Sequence, residues 1–117
     1  MSTRLPGSKY KSVFDQGRPL RGRLFAAWVL HLPDAGRQAG VVVSKKSFHD
    51  AVDRNRAKRI LREGFRLACE SLRADVAWVL VGRASLGGKR MDDVKQELLR
   101  LARGGGLLVS VPQGRAE

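Results

Sequence analysis

A chain of 117 residues fits one compact domain and leaves little for a second. Hydrophobic residues make up 43% of it, enough for a modest core and against wholesale disorder, while 23 Lys and Arg against 11 Asp and Glu leave a formal net charge of +12. Charge of that density repels itself unless a polyanion offsets it, so the expected partner is nucleic acid or an anionic membrane surface. No apolar run approaches 18 residues, and the opening Met1-Ser2-Thr3-Arg4-Leu5-Pro6-Gly7 has no signal-peptide core. The single cysteine, Cys69, can form neither an internal disulfide nor a Cys-rich zinc site, so a reduced cytoplasm with no membrane partner is expected.

In chain order, Ser8 is a candidate cap for a short helix reaching about Gln16, with Tyr10, Val13 and Phe14 at helical spacing. Gly17-Arg18-Pro19-Leu20-Arg21-Gly22 breaks it. Residues 24–32 are apolar and read as a strand, Pro33-Asp34-Ala35-Gly36 as a turn, and Gly40-Val41-Val42-Val43-Ser44 as a buried strand. A long helix is expected over 51–72, with Asp50 or Asp53 at its start. Residues 76–81 form another apolar strand and 91–103 a second amphipathic helix, with Asp92 and Asp93 as capping acids and Gly104-Gly105-Gly106 ending it. The last segment, 107–112, has strand-like composition without a place in this order. Strands interleaved with helices predict an α+β two-layer sandwich, one RNA-binding domain over 1–103 with a tail over 104–117.

The long helix carries the strongest chemical signal. At roughly 100° per residue, Ala57, Ile60, Leu61, Gly64, Phe65, Ala68 and Leu72 share one arc, and Asn55, Lys58, Arg59, Arg62 and Arg66 share the opposite one. Between Arg54 and Arg66 stand six basic residues and one acid, Glu63. A solvated helix face ordinarily mixes signs, whereas this one is almost wholly positive. Arginine forks grip phosphate oxygens bidentately and lysine adds point charge, so the face suits a sugar-phosphate backbone. Asn55, between two arginines, both donates and accepts, as a base edge or ribose hydroxyl requires.

Ser44-Lys45-Lys46, followed by Ala51-Val52-Asp53-Arg54-Asn55-Arg56-Ala57-Lys58-Arg59-Ile60-Leu61-Arg62-Glu63, closely resembles the signature of the bacterial ribonuclease P protein family, with its Arg-Asn-Arg element and following Lys-Arg and Arg-Glu. Tyr10-Lys11-Ser12-Val13-Phe14 resembles the family's opening aromatic helix, and the likeness extends more weakly over most of the chain. The resemblance implies the order α-β-β-β-α-β-α, a mixed sheet of about four strands and a left-handed βαβ crossover of the kind seen in a ribosomal-protein domain, against the usual right-handed rule. It implies a protein subunit that docks on a catalytic RNA, which itself cuts the 5′ leader from precursor tRNA with magnesium held mainly by RNA. No obligate protein partner follows from it. By matched position, Arg54, Asn55, Arg56, Lys58, Arg59, Arg62 and Arg66 would contact the RNA subunit. Tyr10, Phe14 and Trp28, with Lys45 and Lys46, would hold the leader, single-stranded bases stacking on aromatic faces. One departure stands out: Ser47-Phe48-His49-Asp50 fills the place of a Gly-Asn turn and is one residue longer.

On the residues alone, aromatics in a small chain read as core; the resemblance favours a stacking surface for Tyr10 and Phe14, and both readings stay open for Trp28. A stand-alone enzyme finds no support, because His31 and His49 are isolated and no metal-ligand spacing occurs. His31 reads as structural, Cys69 as a packing residue, and Gly64 as a close approach to a strand. The alternatives are a structural RNA-binding protein of ribosomal type with no substrate role, and a basic helix reading DNA, for which no helix-turn-helix pattern is present.

Overall fold

A computed structural model of the chain describes residues 4–33 and 36–109. The elements are α1 (Tyr10–Gln16), β1 (Arg18–Arg21), β2 (Phe25–His31), β3 (Gly36–Val42), α2 (Ala51–Ala68), β4 (Asp75–Gly82) and α3 (Met91–Gly105). The four strands form one sheet in the order β1-β2-β4-β3. β1–β2 and β2–β4 pair antiparallel, while β3 and β4, joined through α2, are parallel neighbours. This is the mixed-sheet α+β sandwich expected.

Period-two alternation sorts the side chains between two layers. Phe25, Ala27 and Val29 of β2, Ala39 and Val41 of β3, and Val76, Trp78 and Leu80 of β4 face α2 and α3 in the main core. There they meet Ile60, Leu61, Phe65, Val94 and Leu98, and Trp78 stands edge-on to Phe65 with ring centroids 6.4 Å apart. The reverse face carries Ala77 and Val79 under Leu5 and Val13, with Trp28, Leu30 and Val81 half-buried beside them. Among the described residues the one helix on this second face is the seven-residue α1, with Leu5 ahead of it, and part of the face stays open.

Several local expectations change. The segment read as a break holds β1, an edge strand whose residues are exposed except for half-buried Leu20; with Pro and two Arg in four residues it has no hydrophobic alternation to announce it. β3 begins at Gly36 rather than Gly40, because its parallel register with β4 runs from Gly36↔Asp75 to Val42↔Val81. Asp34 and Ala35 of the expected turn lie outside the described residues. Helix α2 ends at Ala68, and the chain tightens through a 3₁₀ turn at Cys69–Ser71. α1 starts at Tyr10 after the 3₁₀ turn Gly7–Lys9, with no side-chain cap from Ser8. Asp50 occupies the start of α2 without a side-chain capping bond. Gly64 does make a close approach, but to α3: a Cβ there would press on the Val94 side chain and lie 3.0 Å from the Met91 carbonyl oxygen. His31 is exposed, its Nδ1 3.4 Å from Asp75 Oδ2, so it serves no core role.

Of the two acids expected to cap α3, Asp93 does so, its Oδ2 accepting from the Arg90 N–H at 2.8 Å, while Asp92 stands in the first turn without a capping bond. The helix closes on Gly106 in the left-handed region at φ 73°. Beyond it, Leu107 is buried and Leu108 bridges to Leu72, so this stretch is tied to the end of α2; residues 110–117 lie outside the described ones.

Candidate nucleic-acid interface

Two surfaces carry the sequence-predicted residues. The first is the outer face of α2. Ala57, Ile60, Leu61, Gly64, Phe65 and Ala68 are buried against the sheet and α3, which turns Asn55, Arg59 and Arg66 to solvent, with Lys58 and Arg62 half-exposed at the margin. The side chains of Asn55, Lys58, Arg59 and Arg62 have no hydrogen bond or ion pair to any described residue. Their donors are available to an external acceptor.

The other three α2 cations are already engaged. Arg66 donates from Nε and Nη2 to Glu63 Oε1 at 2.9 and 2.7 Å. Arg56 reaches the Lys89 carbonyl at 3.3 Å, linking α2 to the loop ahead of α3. Arg54 lies toward the buried side of the helix and donates from Nη1 to the carbonyls of Phe48 and His49 at 3.0 and 2.7 Å. Those carbonyls belong to the segment that departs from the family pattern. Ser44 Oγ accepts from Ser47 N–H at 3.1 Å and Ser44 O from Phe48 N–H at 3.0 Å, so the longer loop closes as a tight turn with Arg54 bracing its far end. Lys45 and Lys46 stand exposed on that turn.

The second surface is the open part of the sheet face beside α1. Cross-strand partners share a face. One row across the sheet therefore runs Arg21, Ala26, Val81, Val42, and the next runs Pro19, Trp28, Val79, Gly40. α1 covers the far end of the second row, where the Tyr10 ring sits on Gly40 and its hydroxyl accepts from Val41 N–H at 3.1 Å. The uncovered remainder is a cleft of about 600 Å³, floored by Ala26, Trp28 and Val81 and rimmed by Arg21 and Arg83. Phe14, 37% exposed, meets Trp28 edge to face with ring centroids 5.3 Å apart. The structure thus brings Phe14 and Trp28 together, puts Ser47 of the lysine-bearing turn on the cleft wall, and sets half-buried Tyr10 apart as a brace between α1 and β3.

Arg21 and Arg83 were not predicted for this cleft. Arg83 is anchored by Nε to the Gly22 carbonyl at 3.0 Å and lines the cleft. Only the β1–β2–β4 register puts Arg21 near Val81, and no local pattern carries that. Among the described residues no three His, Cys, Asp or Glu side chains converge. No helix among them is long and apolar enough to cross a membrane.

The family model described as Ribonuclease P matches residues 5–104. The ribonuclease P protein component of Clostridium acetobutylicum is 30% identical over 105 residues, spanning 87% of each chain. That of Ligilactobacillus salivarius is 30% identical over 100 residues, 82% of this chain and 88% of its own. Among solved structures, the RNase P protein from Thermotoga maritima aligns with a TM-score of 0.73 at 25% identity, covering 86% of this chain and 94% of that one. The RNase P protein of Staphylococcus aureus, at 18% identity, shares the fold with a TM-score of 0.73 over 92% and 98%. With the match running from ahead of α1 to the last turn of α3 and the motif of α2 inside it, the chain belongs to the bacterial ribonuclease P protein family.

Proposed function

We propose that this ribonuclease P subunit binds two RNAs on two surfaces: the RNA subunit on the outer face of α2, and the 5′ leader of precursor tRNA in the cleft beside α1. The observation that carries the reading is the α2 face itself, where Asn55, Lys58, Arg59 and Arg62 present donors with no partner among the described residues. Neutralising phosphates there releases counterions, so binding is steeply salt-dependent. Arg54 and Arg56 support the same face in part by fixing the loops at its two margins, and Arg66 joins it by exchanging Glu63 for phosphate. In the cleft, Phe14 and Trp28 offer ring faces and edges to unpaired bases, with Lys45, Lys46, Arg21 and Arg83 near the strand's phosphates. Tyr10 supports the cleft by holding α1 on the sheet.

Hydrolysis and its magnesium are assigned to the RNA, and no step in this reading runs through a protein-bound ion. The protein's part is to bind, to orient the leader and to raise affinity for substrate. The work takes place in the cytoplasm, with no protein partner required. An open aromatic cleft separates this reading from a purely structural RNA-binding protein, which has no use for one.

The test is reconstitution with a bacterial ribonuclease P RNA at low magnesium, following cleavage of precursor tRNA. Stimulation of cleavage is expected. Folded protein that gives none with intact RNA refutes the proposal.

A further inference from the structure

α3 turns a second cationic surface outward. Arg23 from the turn between β1 and β2, Lys89 from the loop ahead of α3, and Arg100 and Arg103 of α3 line one open groove of about 540 Å³ over Leu24 and Leu99. Two acids share the lining; Glu97 is buried and turned inward, and exposed Asp93 commits one oxygen to the start of α3. Glu97 accepts from Leu24 N–H at 2.7 Å and Phe25 N–H at 3.4 Å. The other Glu97 oxygen receives Arg100 Nη2 at 3.3 Å, steadying that guanidinium at the groove. The side chains of Arg23, Lys89 and Arg103 have no hydrogen bond or ion pair to any described residue. Three unpaired cations around one concave, apolar-floored groove complement successive phosphates of a nucleic-acid strand, with the leucines under its sugars.

The groove also connects to α2. Arg56 donates to the Lys89 carbonyl at 3.3 Å, so the loop carrying Lys89 is fastened to the helix whose face is proposed to dock RNA. We infer that the α3 groove is a second phosphate-binding surface for the RNA subunit, extending the α2 face across the α2–α3 junction. The inference rests on the reading of α2 as the RNA dock.

The test compares the triple variant Arg23→Gln, Lys89→Gln, Arg103→Gln with the double variant Arg59→Gln, Arg62→Gln. Binding to a bacterial ribonuclease P RNA is measured across a salt series, with thermal unfolding run alongside. At roughly 0.7 per phosphate contact, the triple variant should lower the salt slope by about 2 and the affinity on the order of 100-fold near 0.1 M salt. If the triple variant is poorly folded, Lys89→Gln alone should lower the slope by about 0.7. Wild-type slope and affinity in the groove variants, with loss in the α2 variant, overturn the groove while leaving the α2 dock intact. No loss in either set overturns both. Unchanged binding to the RNA subunit with weakened binding of precursor tRNA to the assembled holoenzyme moves the groove to the substrate and also overturns the assignment.

Discussion

Substituting Gly64 by Ala in the middle of α2 sets backbone propensity against packing. Ala is favoured over Gly at an interior helical position by about 1 kcal/mol, so on local grounds the change stabilises. The tertiary environment reverses that. A Cβ at Gly64 would lie 2.5 Å from Val94 Cβ and 3.0 Å from the Met91 carbonyl oxygen. Val94 is fully buried, and the Met91 carbonyl is main chain in the first turn of α3, so neither yields without moving the helix. Overpacking of this kind costs about 1–3 kcal/mol, which leaves Gly64→Ala destabilising by roughly 1 kcal/mol net. For a domain of this size that lowers Tm by about 4 °C, measurable by thermal or urea unfolding followed by circular dichroism. Adding Val94→Ala removes the Cγ1 contact but keeps the Cβ and the Met91 carbonyl in place, so the double-mutant cycle should show favourable coupling that recovers only part of the loss. A Gly64→Ala variant that melts higher than the wild type refutes the close α2–α3 approach.

Replacing Glu97 by Leu strips Leu24 N–H and Phe25 N–H of their acceptor and should cost roughly 1.5–3 kcal/mol in denaturant unfolding, with Glu97→Gln costing less. Arg54→Ala should lower stability by about 1 kcal/mol through loss of its carbonyl bonds, whereas Arg62→Ala should stay within about 0.5 kcal/mol and weaken RNA binding; the reverse pattern refutes the division of roles. Phe14→Ala should weaken binding of precursor tRNA by about 1–3 kcal/mol relative to mature tRNA, and equal effects on both argue against a leader cleft. A hydrogen bond from Arg73, helped by the charges of Arg73 and His31, holds the Asp75 carboxyl below its usual range against desolvation. Its contribution to stability is therefore present above the ordinary carboxylate pKa and lost as pH falls through the depressed value. Arg73→Ala should flatten Tm against pH in that acid window, and an unchanged profile refutes the linkage.

Much of the architecture was legible because it is encoded locally. The 3.6-residue pattern of α2 separates Ile60, Leu61 and Phe65 from Asn55, Arg59 and Arg62 without any other part of the chain, and the structure keeps that separation. β4 announces itself as a continuous apolar run, buried between two helical layers. β1 does not, since an exposed edge strand of Arg, Pro, Leu and Arg is defined only by its pairing with β2.

The basic face of α2 and the family it points to are properties of the linear chain, because a helix repeats on its own length and a motif is contiguous. Which cations remain available is a different kind of fact. Arg54, Arg56 and Arg66 are as basic as Arg59 and Arg62, but the turn at 44–50, the loop before α3 and Glu63 supply them with partners. Arg21 and Arg83 meet at the cleft, and Arg23 and Arg103 at the groove, across separations of some sixty to eighty residues that only sheet register and helix packing close. The chain alone thus decides that α2 is a basic amphipathic helix. Tertiary structure decides where that charge stays unpaired, since hydrogen bonding depends on what lies within about 3 Å and not on what lies nearby in sequence.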